Sequence, residues 1–131
     1  MNREIKFRGK RTYNNEWIYG SLIDNKFIFD KDYDNYEIYY DEEYGIIDGR
    51  LLEVDSKTIG QYTGLKDKNG REIYEGDIVK YEGENTSYVV MFDPTGYWCL
   101  DGNGARNSEM LYYEDVFKYL EIIGNIYENE K

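Results

Sequence analysis

The sequence predicts a mostly β protein: an antiparallel N-terminal β meander packed on a small C-terminal β-barrel. Three observations predict it. Short apolar runs alternate with polar residues at the period of a strand. Turn signals recur along the chain, with 13 Gly against a single Pro, which argues for tight turns rather than disorder. Sixteen Tyr dominate an aromatic share of 18%, and Tyr suits strand faces that are half buried. At 131 residues the chain fits one domain, or two very small β modules sharing a core. The expected division is 1–57 for an N-terminal β subdomain, with an acidic excursion at 30–57, and 58–131 for the barrel.

The elements follow in order. EIKFR (4–8) alternates, with Ile5 and Phe7 on one face and Glu4, Lys6 and Arg8 on the other. Asn14-Asn15 close a turn, because both tolerate positive φ. WIYGSLI (17–23) and FIF (27–29) flank Asp24-Asn25-Lys26 as a hairpin. Residues 30–57 mix acidic loop chemistry with the short runs EIYY, GII and LLEV, and Asp48-Gly49 is a turn signal between the last two. This segment is expected to be mobile or to contact a neighbouring subunit. Thr58 to Thr63 reads as a short strand, and Asn69-Gly70 and Glu75-Gly76-Asp77 as turns. DIVKY, SYVVMF, YWCL and EIIGNIY supply the later strands, with Asp93-Pro94-Thr95-Gly96 and DGNG (101–104) as turns. NSEMLYYEDVFKY (107–119) is expected to form a short helix or turn.

Composition excludes several classes. No run of apolar residues is long enough to cross a membrane. The start, MNREIKFRGKR, has no apolar signal core, so a cytoplasmic location is expected. The one cysteine, Cys99, cannot form an internal disulfide and reads as a core residue in GYWCL. Histidine is absent, which removes the usual base for a Ser or Cys nucleophile and the commonest transition-metal ligand. An enzyme is therefore disfavoured, no cofactor is expected, and a small enzyme using carboxylates would need a deep pocket. The net charge of −11 repels nucleic acid. The charge is uneven: Arg3, Lys6, Arg8, Lys10 and Arg11 make the start basic, and Asp30 to Asp55 is strongly acidic.

Two loops resemble calcium sites and are tested by spacing. With Gly70 as the loop glycine, the first ligand place falls on Leu65 and the last on Gly76, so DKNG is a turn. Asp30, Asp32, Asp34 and Asp41 fit the spacing better, with Asn35 in place of the glycine. Glu37 then stands where an apolar anchor belongs, and a solvated acidic loop is the preferred reading. GLKDKNG lacks the Gly-Lys-Ser/Thr ending of a phosphate loop.

IKFRGK (5–10), WIYGSL (17–22), TIGQYTGLKDKNGREIYEGDIVKY (58–81) and EIIGNIYEN (121–129) together resemble the YopX family of phage and prophage proteins. The central block is the specific part, and the pieces span nearly the whole chain. The resemblance implies a phage or prophage origin, hence a bacterial host cell, and a mostly β fold with an SH3-like barrel beginning near IYEGDIV. It supplies no catalytic residue and no substrate. The chain departs from the family at Asp55-Ser56-Lys57, where a Pro is common.

The resulting expectation is a non-enzymatic accessory protein that binds a protein partner. The expected surface is the exposed part of the QYTGLKD turn with nearby aromatics: Tyr62, Thr63, Lys66, Asp67, Trp17 and Tyr19. Homo-oligomerisation is a further expectation, from β edges and the charge asymmetry. The alternative is an acidic decoy that mimics DNA and occupies a host nuclease or DNA-binding protein.

Overall fold

The structure, a computed structural model, describes residues 4–92, 98–102, 105–106 and 118–128. Apart from one 3-10 turn at Ser56–Thr58, every regular element among them is a strand. The protein is mostly β, as its turn-rich sequence predicts. No helix among the described residues is long and apolar enough to cross a membrane. The expected turn at 93–96, residues 103–104 of the expected DGNG turn, residues 107–117 of the expected helix or turn at 107–119, and the Cys99 side chain lie outside what is described.

Contacts divide the chain into two compact units. The first is Ile5–Gln61. It contains β1 (Phe7–Lys10), β2 (Trp17–Ile23), β3 (Phe27–Phe29), β4 (Ile38–Asp41), β5 (Gly45–Asp48), β6 (Leu51–Glu53) and the start of β7 (Gly60–Lys66). Strands β6, β3, β2 and β1 are antiparallel neighbours in that order, and β1 also pairs with Gly60 and Gln61. Ile18, Ile28, Leu52 and Val54 are buried between them, with Phe7, Leu22, Tyr33 and Ile59 packed around. The β2–β3 turn takes positive φ at Asp24 and Asn25, the geometry that suits strand twist in a tight hairpin.

The first strand corrects the alternation expected at EIKFR. β1 begins at Phe7, Ile5 is exposed, and Arg8 is buried. The Arg8 guanidinium lies over the Trp17 ring at 4.6 Å. An Arg stem and a stacked planar cation can be covered where a plain charge cannot.

The described residues from Tyr62 onward form the second unit. Here the rest of β7 pairs with β8 (Glu72–Tyr74). A curled antiparallel sheet follows in the order β12-β11-β10-β9-β13. Its strands are β9 (Asp77–Tyr81), β10 (Ser87–Phe92), β11 (Trp98–Gly102), β12 (Ala105–Arg106) and β13 (Leu120–Asn125). The core is Ile73, Val79, Val90, Leu120 and Ile122. Each such side chain contributes about 1.5–3 kcal/mol by leaving water.

The QYTGLKDKNG stretch is built around polar groups turned inward. The β7–β8 register slips between Tyr62 and Lys66, and Gly64 takes φ +88° there, as a bulge requires. The Thr63 hydroxyl donates to the Ile73 carbonyl at 2.8 Å and accepts the Leu65 N–H at 3.1 Å. Asp67 is 4% exposed. Its Oδ1 accepts the N–H groups of Asn69 and Arg71, both at 2.9 Å, and its Oδ2 accepts that of Ile122 at 3.0 Å. Next to it, the Lys68 N–H donates to the Leu120 carbonyl at 2.8 Å. The turn is thereby fastened to β13.

Asp67→Ala would leave the Ile122 N–H, in a buried bond, without its acceptor and would free the N–H groups of Asn69 and Arg71 that hold the turn. The loss expected is about 3 kcal/mol or more, read from urea unfolding. A variant within about 0.5 kcal/mol of wild type would contradict the role given to this carboxylate.

Candidate partner-binding surface

Residues 30–48 carry eight carboxylates and one cation, Lys31. Local geometry explains several of the acids. Asp30 Oδ1 accepts the Asp32 N–H at 3.0 Å, and Asn35 Oδ1 accepts the Glu37 N–H at 3.1 Å. Asp41 Oδ1 accepts the N–H groups of Glu43 at 2.7 Å and Tyr44 at 3.0 Å. Short acidic and amide side chains hold turns in this way. Asp30, Asp32, Asp34 and Asp41 are not gathered into a ligand set. Among the described residues no three or more His, Cys, Asp or Glu side chains could jointly hold a metal ion.

The turn at Asp41 folds β4 back on β5. Ile38 pairs with Asp48, Tyr39 with Ile47 and Tyr40 with Ile46. Partners across a ladder share a face, as do alternate residues along a strand. Ile38, Tyr40 and Ile46 therefore lie on one face, and they are 62%, 77% and 76% exposed. Large apolar side chains this open, set side by side, are the informative kind of exposure.

The hairpin is held at both ends within its own unit. At the tip, the Tyr44 ring packs edge-on against Phe27 with centroids 5.1 Å apart. Its hydroxyl donates to Asp24 Oδ2 at 3.1 Å. At the base, Arg50 donates twice to Asp48, from Nε at 2.9 Å and from Nη2 at 2.7 Å. The Arg50 guanidinium also lies 5.2 Å from the Phe29 ring and 4.8 Å from the Tyr36 ring. The bonds from the Arg50 side chain and backbone N–H push the Asp48 carboxyl down to about 2.

Five cations of this unit lie over aromatic rings. Besides Arg8 and Arg50, Lys10 lies 5.8 Å from Trp17, and Arg11 lies 5.1 Å from Tyr13 and 5.5 Å from Tyr33. Lys26 is 5.6 Å from Phe27 and 5.5 Å from Tyr44. Such contacts are worth roughly 0.5–1 kcal/mol each at exposed sites. They tie the positive charge of the N-terminal strands to ring faces, while the acidic excursion stays open to solvent.

The six residues expected to form the binding surface divide differently. Tyr62, Thr63 and Asp67 are buried, which corrects the expectation that they are presented on an exposed turn. The Tyr62 ring packs on Tyr74 with centroids 5.4 Å apart, and Thr63 and Asp67 serve the backbone as described. Lys66 and Tyr19 are exposed, and Trp17 is half-buried under Arg8. Sequence reasoning passed over Ile38, Tyr40 and Ile46. Its one signal was an apolar alternation on both faces of a segment dense in charge. A separate open groove of about 450 Å³ is lined by Lys68, Tyr81, Glu82, Glu84, Lys118 and Tyr119. Its Lys68 ammonium is already engaged, at 3.1 Å from Glu82 and 3.9 Å from Glu121.

The family model described as YopX protein matches residues 6–131. The chain is also similar to a solved structure, the crystal structure of protein EF1440 from Enterococcus faecalis. The two are 26% identical with a TM-score of 0.56, over 98% of this chain and 96% of that one. No curated protein matches.

The hairpin base has a pH signature. A carboxyl depressed in the folded state stabilises above its unfolded value, and that contribution is lost as pH falls through the folded value, here about 2. NMR titration of Asp48 should give a midpoint near 2 in wild type. In Arg50→Ala the midpoint should return toward about 4. A wild-type midpoint already near that ordinary value would show that Arg50 does not hold the hairpin base.

Proposed function

The chain belongs to the YopX family, and from that premise we propose that it is a non-enzymatic phage or prophage accessory protein that works by binding another protein. The observation that carries the reading is the open face of Ile38, Tyr40 and Ile46, standing among the carboxylates of residues 30–48. The partner that fits is a protein with a basic surface interrupted by apolar side chains. Apolar contact would supply affinity, and the carboxylates would steer the encounter. In this proposal residues 58–131 are an SH3-like barrel, a reading supported by their short strands and tight turns. The site of action is the cytoplasm of a bacterial host cell.

An acidic DNA-mimic decoy is the second reading. The density of carboxylates at 30–48, with Arg8, Arg11, Lys26 and Arg50 laid on rings, favours it. The two readings differ in what the apolar face does. A decoy relies on carboxylate spacing, whereas the leading reading needs the exposed side chains themselves.

The test is capture from bacterial lysate with wild type, with Tyr40→Ala combined with Ile46→Lys, and with Tyr19→Ala as a surface control. Circular dichroism checks each fold. The hairpin variant should lose its captured protein by about tenfold or more, as expected when a central aromatic contact is truncated, and Tyr19→Ala should keep it. Capture unchanged in the hairpin variant but competed away by duplex DNA would favour the decoy. Capture unchanged by either would overturn both readings.

A further inference from the structure

β4 and β5 form a sheet of two strands among the described residues. Their register tells which backbone groups are already used. The Gly49 N–H donates to the Glu37 carbonyl at 2.8 Å, and these two residues continue the register in which Ile38 meets Asp48. Glu37–Gly49 is therefore a hydrogen-bonded pair. Hydrogen-bonded and non-hydrogen-bonded pairs alternate along an antiparallel ladder. Tyr39–Ile47 and Asp41–Gly45 then bond to each other, while Ile38 and Tyr40 turn their N–H and C=O groups outward from β4. Ile46 does the same from β5. The open edge and the open face thus belong to the same residues.

We infer that the β4 edge is a strand-addition site, which takes an extended basic segment of a partner protein with Ile38 and Tyr40 as its docking residues. This rests on the protein-binding reading above and specifies its mode. β4 is the better edge because both its outward residues are well exposed, whereas on β5 the second one, Asp48, is engaged by Arg50. Backbone hydrogen bonds to an edge provide affinity, and alternate side chains of the added strand provide selectivity. One set of those side chains would meet the apolar face. The partner's charge follows from the surroundings: Asp41 ends β4, and Glu37, Glu42 and Glu43 flank it in sequence. The same carboxylates disfavour a second copy of this chain, whose own hairpin would bring like charge. The hairpin is anchored by Tyr44 at one end and Arg50 at the other, so little ordering cost attends docking.

The probe is a blocked synthetic peptide alternating Lys and Val, about nine residues long, enough to run the length of a strand. Its affinity for the full chain is read by calorimetry. Two further peptides carry backbone N-methyl groups on the Lys residues only or on the Val residues only. Strand addition uses the N–H groups of one alternate set. One methylated peptide should therefore bind like the parent, and the other should bind about tenfold or more weakly. Because the protein is unchanged in this comparison, folding cannot confuse it. On the protein side, Tyr40→Pro removes an outward N–H without touching the ladder, and should bind about tenfold more weakly than Tyr40→Ala. A peptide alternating Glu and Val should not bind. Equal binding by both methylated peptides would overturn strand addition. If Ile46→Lys still abolished binding in that case, the apolar face would stand as a docking surface without it. No binding of the parent peptide, or a dimer in solution that Tyr40→Ala dissociates, would equally overturn the inference.

Discussion

The buried carboxylate of Asp67 is the constraint on which the second unit depends. A carboxylate out of water is costly unless its oxygens are satisfied. Here three backbone N–H groups do this, from Asn69, Arg71 and Ile122. A carboxylate accepting several N–H groups forms stronger bonds than neutral acceptors do. It also joins segments far apart in sequence, since Ile122 is 55 residues from Asp67. The neighbouring turn is organised in the same way. Asp77 is buried and accepts the Tyr74 N–H at 2.7 Å, and Gly76 takes φ +96° beside it. The most distinctive block of the sequence is thus occupied with its own backbone. Its polar residues fix a bulge and two turns.

The other unit is organised differently. There the sequence places charge and aromatic rings in excess, and the fold sorts them. Arg and Lys side chains lie against ring faces, and Asp and Asn side chains hold turns. What is left over is the open face and edge of the β4–β5 hairpin. A large apolar exposure and an unpaired strand edge are both features that proteins ordinarily suppress. Their coincidence at Ile38 and Tyr40 gives the hairpin its functional reading.

Much of the fold was legible in the sequence because local rules decide it. WIYGSLI and FIF coincide with β2 and β3, since alternation and an Asp-Asn turn specify a hairpin without outside help. DIVKY coincides with β9, after a turn whose Gly takes the expected positive φ. The failures arise where distant groups decide. At EIKFR a tryptophan on the next strand covers Arg8 and leaves Ile5 in water. At QYTGLKD the polar residues look like surface, because their acceptors and donors lie on strands that no local window contains. Only Gly70 of the Asn69-Gly70 pair takes positive φ, because the Gly70 N–H closes a turn on the Asp67 carbonyl at 3.0 Å, which leaves Asn69 at a place that needs no left-handed backbone. The candidate surface was legible as an acidic excursion but not as a site. Apolar residues on both faces of EIYY and GII give alternation no means of naming the exposed one.

Hydrogen exchange of the free protein, resolved by residue, tests the central division between fastened turn and open edge. The amides of Asn69, Arg71 and Ile122 should exchange only through global unfolding, the limit for the most protected groups. Those of Ile38, Tyr40 and Ile46 should exchange close to the rate of an unprotected chain. Rapid exchange at Asn69 and Ile122, together with strong protection at Ile38 and Tyr40, would contradict both the role of Asp67 and the availability of the hairpin edge.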